Sequence, residues 1–197
     1  MMIPYLLCAV IGYLLGSIST GILVAGKAGH DIRAEGSHNT GASNALRVLG
    51  LKGGALTFLG DFVKAALAVI AGLLIAGQIG GMIAGLAVVI GHNWPVFFGF
   101  QGGKGIACST AVLLILFPWQ GAVAAVLCLL VIYLWRYISV GSLTLLTVFA
   151  VLLLVTQPFW PQGVWALALL ALGVYRHRTN LQRLKNGTEN KIGHRAK

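Results

Sequence analysis

The stretch AALAVIAGLLIAGQIGGMIAGLAVVIGHNWPVFFGFQGGK (65–104) decides the fold. Its first 39 residues contain no Asp, Glu, Lys or Arg. About 20 apolar residues suffice for one helix to cross a hydrocarbon core roughly 30 Å thick. The run therefore makes two crossings, and Gly77-Gln78-Ile79-Gly80-Gly81 supplies the tight turn between them. Just upstream, Asp61 and Lys64 stand three apart on one helix face, where they neutralise each other within a span. Downstream, the run closes on a His, an Asn, a Trp-Pro step and an aromatic cluster before Gly102-Gly103-Lys104-Gly105. Lys104 is the only charge between Lys64 and Arg136. Glycines let backbone N–H groups approach an anion closely, and an ammonium among them adds a point charge. That chemistry suits a phosphate. The spacing is not that of a P-loop, which would need Gly where Phe98 stands and Ser or Thr where Gly105 stands. A helix-connecting loop with its lysine at headgroup level is the plainer alternative.

The same reading extends to the whole chain. Of 197 residues 58% are hydrophobic and only 9% charged, against roughly 25% charged in a soluble domain. Mean hydropathy is +0.89. This is the composition of an integral membrane protein. The net charge of +10 does not indicate nucleic acid, because the cations sit in a few short segments and not over one face. Cys8, Cys108 and Cys128 all lie in apolar runs and read as small core residues, with neither a disulfide framework nor a metal site implied. Residues 1–26 are uncharged and lack a basic n-region, so a first spanning helix is expected there, not a cleaved signal. Gly12 and Gly16 within it have the spacing that lets helices approach closely in lipid.

Residues 27–52 are polar and read as a loop followed by a short helix. Residues 105–135 hold 31 uncharged positions with Pro118 near the middle, enough only for two short spans or a re-entrant hairpin. Residues 137–175 make a second long hairpin, turning at Gln157-Pro158 and Pro161-Gln162. With these hairpins, Lys27, Arg33, Arg47, Lys52, Lys104, Arg136 and the basic tail all fall on one side, and the opposite turns carry no Lys or Arg. The positive-inside rule then puts the N-terminus outside and the C-terminus in the cytoplasm. The expected architecture is a single all-α domain over 1–197, a bundle of seven spans, or five if the 105–135 hairpin does not cross. Every polar motif would then face the cytoplasm.

Two further segments carry chemistry. In GSHNTGASNALR (36–47), Ser37, Asn39, Ser43 and Asn44 offer hydrogen bonds, though Ser and Asn are also ordinary helix caps. Arg47, one turn after Asn44, has the fork that matches phosphate oxygens. In YRHRTNLQRLKNGTE (175–189), His177, Asn180, Leu181 and Leu184 fall on one helical stripe, and Gly187 reads as the helix stop. A polybasic tail on anionic lipid accounts for several of the arginines but not for His and Asn on that stripe. Ser139 and Ser142 in RYISVGS (136–142) are a weaker signal, since capping explains serines there equally well.

These three segments, with GHNWPVFFGFQGGKGIA (91–107) as the second, resemble in order and spacing the signatures of the bacterial acyl-phosphate:glycerol-3-phosphate acyltransferases, the PlsY family. The resemblance covers the whole chain, including GSISTG (16–21) and the Asp61/Lys64 pair. It implies a seven-span bundle in the bacterial inner membrane with its active site facing the cytoplasm. It also implies transfer of an acyl chain from acyl phosphate to the 1-hydroxyl of sn-glycerol 3-phosphate, giving lysophosphatidic acid and phosphate. Partners would be these substrates, membrane lipid and the enzyme that makes acyl phosphate. No cofactor, metal or nucleic acid is implied. The family pattern often has Gly where His38 stands and Thr where Ser43 stands.

On this reading Lys104, Arg47 and the backbone of Gly102, Gly103 and Gly105 hold phosphates, while Ser37, Asn39, Ser43, Asn44, His92, Asn93, Ser142 and Asn180 orient the substrates. An acyl phosphate is already activated, so positioning and charge stabilisation suffice without a covalent nucleophile. His177 either takes the hydroxyl proton or donates a hydrogen bond while phosphate takes it; the sequence reading favours the donor role, since a phosphate dianion is already present as a base. The rival from another class is a transporter for phosphate or another small anion. It requires polar groups at membrane depth, where only Asp61 and Lys64 qualify.

Overall fold

A computed structural model describes residues 2–157 and 160–192; Pro158 of the expected turn and the terminal cations Arg195 and Lys197 lie outside them. The described residues are helical with connecting loops, and they divide into two compact units, Met1–Leu116 and Phe117–Lys197.

In the first unit the expected leading span is interrupted. Helix α1 (Ile3–Gly16) and α2 (Thr20–Lys27) are separated by a break at which Ser19 is extended. A Ser pair weakens a helix because its hydroxyls compete for backbone, and Ser17 does so here, donating to the Tyr13 carbonyl at 2.8 Å. The freed backbone is used elsewhere, as the Ile18 carbonyl receives a lysine described below. Helix α3 (Ala42–Asn93) is three pieces in one, broken at Gly50 (φ 75°) and at Ala76–Gly77, where Gly77 has φ 61°. Only glycine adopts such angles without strain. The first break ends the short helix anticipated before the span; the second is the anticipated turn, sharper and slightly earlier than the Gly-rich pattern suggested.

The two long legs of α3 run antiparallel at very close range, since a Cβ on Gly72 would meet the Gly80 carbonyl and one on Gly80 the Gly72 carbonyl. Helix α1 lies along the second leg, with Gly12 against the Ala84 backbone and Gly16 against that of Val88. This is the small-residue packing that replaces hydrophobic drive in lipid. After a 3₁₀ turn (Val96–Phe98) and the glycine loop, α4 (Ile106–Leu116) returns beside the same leg, Val112 at Gly85 and Leu116 at Gly81. Its 11 residues span about 16 Å, roughly half a hydrocarbon core.

The second unit is α5 (Pro118–Trp135), α6 (Ile138–Thr156), α7 (Trp160–Arg176) and α8 (Arg178–Lys185). Pro118 opens α5, where a missing N–H costs nothing. Phe117, Phe149 and Trp165 form an aromatic cluster with centroids 5.8–6.2 Å apart. By length and composition four segments can cross a membrane, among them Ile3–Lys27 and the folded-back Ala42–Phe98, together with α5 and α6. Large apolar side chains such as Leu74, Val126, Tyr133 and Val155 are exposed, as lipid-facing positions must be.

Candidate active site

Each unit holds a cluster of buried polar residues. In the first, the centre is buried charge. Lys64 Nζ lies 2.8 Å from Asp61 Oδ1, 3.1 Å from His92 Nδ1 and 2.6 Å from the Ile18 carbonyl it donates to. Asp61 is 1% exposed, Lys64 6% and His92 5%. The expected ion pair is therefore present, with a histidine as third member. Asp61, His92 and Cys108 bring potential metal ligands within 4.8 Å of one another. The ammonium of Lys64 already fills the gap between Asp61 and His92, and the Cys108 thiol donates to the Asp61 carbonyl. The donor set suits that ammonium and not a metal ion.

The glycine loop sits on this group. Gly103 N–H donates to the His92 carbonyl at 3.1 Å. A Cβ on Gly103 would overlap the His92 imidazole, and one on Gly102 the His92 carbonyl. Gly105 has φ 80° and faces Val89 and the Asn93 amide. These glycines are needed for close approach, as expected, but the group they approach is His92. His92 and Asn93, expected to bind substrate, are buried under the loop and support it. Both amide atoms of Asn93 lack a partner. Lys104 stands on the loop, half buried. The loop is also tied to the α1 break, as Tyr13 Oη donates to the Trp94 carbonyl at 3.0 Å and Val96 N–H to Ser17 Oγ.

The segment before α3 is shaped by Asn44. Its Oδ1 accepts from Ser37 N–H at 2.7 Å, and its Nδ2 donates to the carbonyls of Ile32 and Glu35. The amide expected to orient substrate is thus spent on folding residues 32–37. Asn39 Oδ1 accepts from Gly41 N–H just before α3, an Asx turn that leads the chain into the helix. Ser37, Asn39 and Ser43 are half buried, and Arg47 is exposed on the first piece of α3. His38 has φ 57°, which explains why a glycine suits that position; its Nδ1 is 3.0 Å from the Arg33 carbonyl.

In the second unit, α7 ends at Arg176 and His177 forms the turn into α8. His177 is 2% and Asn180 5% exposed and Leu184 is half buried, but Leu181 is 38% exposed, so the expected four-residue stripe fails at Leu181. The break at His177 rotates α8 out of register with the longer helix assumed from the sequence. The His177 Nδ1 lies 2.8 Å from the Gly173 carbonyl. A carbonyl only accepts, so Nδ1 carries the proton and a neutral ring presents Nε2 as an acceptor. The neutral ring therefore has no N–H left for the donor role favoured from sequence, which only the doubly protonated ring would supply.

A residue given no role from the sequence organises this end. Glu189, 9% exposed, accepts hydrogen bonds from Asn180 Nδ2 at 2.6 Å, Ser139 Oγ at 2.8 Å and Arg183 Nε at 2.8 Å. Burial pushes its carboxyl up, but the bonds from Arg183, Asn180 and Ser139 together outweigh it and hold the group below its ordinary value. The chain reaches it by a Schellman closure at Gly187 (φ 70°), with Gly187 N–H on Leu184 and Thr188 N–H on Arg183. The only hint in the sequence was an acid in an otherwise basic tail. Ser142, expected to contact substrate, is buried and donates to the Ile138 carbonyl at 2.8 Å.

Comparison with known proteins identifies the family. Residues 6–187 match the family described as glycerol-3-phosphate acyltransferase. A protein of that name from Thermoanaerobacter pseudethanolicus is 43% identical over 194 residues, covering 96% of each chain. Another from Clostridioides difficile is 41% identical over 197 residues, again covering 96% of each. The crystal structure of PlsY, an integral membrane glycerol 3-phosphate acyltransferase, in its glycerol 3-phosphate form superposes with a TM-score of 0.90 at 37% identity and 96% coverage of both chains. Its lysophosphatidic acid form gives 0.87 at 36% identity, covering 96% of this chain and 95% of that one. With residues 6–187 matched by the family and nearly its full length covered by relatives about 40% identical, the chain belongs to the glycerol-3-phosphate acyltransferase family.

Proposed function

We propose that this protein acylates the 1-hydroxyl of sn-glycerol 3-phosphate from acyl phosphate, releasing phosphate and leaving lysophosphatidic acid in the membrane. Family membership supports the acceptor and the product, as the PlsY structures are of glycerol 3-phosphate and lysophosphatidic acid forms. The acyl-phosphate donor rests on the motif resemblance. The observation that carries the reading is the glycine loop, with Gly102 and Gly103 pressed onto a buried support and Lys104 at its crest. Anion binding belongs to that loop and to Arg47, with Ser37, Asn39 and Ser43 as neutral donors nearby in the chain.

Hydroxyl handling belongs to His177, whose Nε2 accepts the hydrogen bond of the attacking hydroxyl and takes its proton as that oxygen bonds to the acyl carbon and the phosphate departs. Asn180, held by Glu189, positions a polar substrate group. Seven segments then serve as spans or partial spans: α1 with α2, two legs of α3, and α4 to α7. The N-terminus lies outside and the cationic ends face the cytoplasm of a bacterial inner membrane, with the enzyme that makes acyl phosphate as partner. The transporter reading is disfavoured because Asp61 and Lys64 are spent on His92 and the Ile18 carbonyl.

Site variants test these roles. Lys104→Ala and Arg47→Ala each lose a charge-assisted hydrogen bond, about 1.5–3 kcal/mol or roughly 10- to 150-fold in the KM for glycerol 3-phosphate or in turnover. His177→Gln keeps an acceptor but cannot take a proton, and falls by about 10²–10⁴-fold in rate. Near-native turnover of folded His177→Gln would move the proton acceptor to the phosphate.

A further inference from the structure

We propose that Asp61, Lys64 and His92 are positioning residues that set the height and orientation of the glycine loop, and through it of Lys104. The inference rests on the phosphate-binding reading of that loop. A buried ion pair between helices is ordinarily explained as glue, and apolar side chains of similar volume often replace such a pair without loss of stability. Three observations take this one further.

First, the charges converge on one ring atom. His92 Nδ1 lies 3.1 Å from Lys64 Nζ and 3.4 Å from Asp61 Oδ1, so the ring's rotation about its bond to the backbone is pinned from one side. Second, the ring's other side is the seat of the loop. Gly103 packs so directly on the imidazole that a methyl group could not fit between them, and its N–H reaches back to the carbonyl of the same histidine. A shift of the ring therefore moves Gly103, and Lys104 is the next residue. Third, the ammonium also binds the Ile18 carbonyl exposed by the break between α1 and α2, and the thiol of Cys108 on α4 binds the Asp61 carbonyl. Within the first unit, the α1–α2 break, α3 and α4 are thus all referenced to one buried charge group. The loop needs this because its glycines have no side chains with which to fix their own position.

The double variant Asp61→Leu/Lys64→Met separates glue from positioning, because it removes the charges together and keeps apolar bulk. We expect it to stay folded, with a thermal midpoint lowered by the loss of the ammonium's bonds to the Ile18 carbonyl and His92, while its KM for glycerol 3-phosphate rises about tenfold or more, the scale of one misplaced charge-assisted bond. Its kcat should change far less. Hydrogen exchange at the Gly103 amide should accelerate as well. His92→Phe keeps the ring volume but removes the pinned nitrogen, and should show the same split; it also decides the matter if the double variant does not fold. Lys104→Ala, measured alongside, reports on the phosphate reading itself. If Lys104→Ala raises KM while both buttress variants stay within about twofold of native, the positioning role is wrong and the phosphate reading stands. If His92→Phe alone raises KM, His92 acts by touching substrate and the proposal fails. If Lys104→Ala is silent, the phosphate reading fails first and this proposal with it.

Discussion

Glu189→Ala should damage this protein more than any other single change in its basic tail. The carboxylate is the shared acceptor for Ser139 on α6, Asn180 on α8 and Arg183 on α8. Its removal takes the Glu189 acceptor away from the buried Ser139 hydroxyl and Asn180 amide. Each such group costs about 1–3 kcal/mol, so the pair costs roughly 2–6 kcal/mol. Arg183, whose side chain is 35% exposed, can turn to water and adds little. Against a total stability of about 5–15 kcal/mol, α8 should fray from α6 and carry Asn180 with it. Glu189→Gln keeps one acceptor oxygen but points an amide N–H₂ at Arg183, and should fall between native and alanine. The sign with pH follows from the lowered carboxyl. Its contribution is complete above the ordinary carboxylate value of about 4.3 and is lost as pH falls through the lower folded value. Thermal unfolding in detergent, followed by size-exclusion chromatography, measures the first effect, and the same scan at acid pH measures the second. The acid-side decline should be flatter in Glu189→Gln. A Glu189→Ala protein with native midpoint and native turnover would refute the reasoning.

Gly103→Ala forces a methyl group onto the His92 ring, an overpacking of about 1–3 kcal/mol, and should raise the KM for glycerol 3-phosphate. Gly99→Ala is its control: Gly99 lies on the same loop with open space around it, and its positive φ, which Gly103 lacks, adds backbone strain without a contact, so KM should not move. An equal effect of the two would point to general disturbance of the loop and away from the His92 contact. Cysteine labelling reads the topology against a quiet background, since Cys8, Cys108 and Cys128 are buried. A cysteine at Gln78 should be labelled from outside and one at Gly187 only from the cytoplasm; outside labelling of position 187 would overturn the orientation.

The apolar run 65–103 was readable because the bilayer imposes a length and forbids unpaired backbone, leaving little but paired helices. The turn near Gly77 and the small-residue packing of Gly12 and Gly16 follow from that constraint. What was not readable is the break at Ser17–Ser19, because it is fixed by partners 46 to 79 residues away, Lys64 on the Ile18 carbonyl and Val96 on Ser17. The site was legible as residue types and not as contacts. Lys104 on its glycines and a buried His177 and Asn180 appear as expected, whereas Asn44 and His92 look like substrate ligands in sequence and face inward in the fold. Glu189 is hidden in the sequence for the same reason: an acid in a polar tail looks solvated until its three donors are known. The tautomer of His177 likewise depends on a carbonyl four residues earlier that any helix would supply.

The most direct measurement supplies purified protein with palmitoyl phosphate and glycerol 3-phosphate, without coenzyme A or acyl carrier protein, and follows phosphate and lysophosphatidic acid together. The account predicts that both appear in equal amounts, and that palmitoyl coenzyme A in place of palmitoyl phosphate yields no lysophosphatidic acid. Lysophosphatidic acid formed only from the coenzyme A ester, or phosphate released without it, would contradict the account.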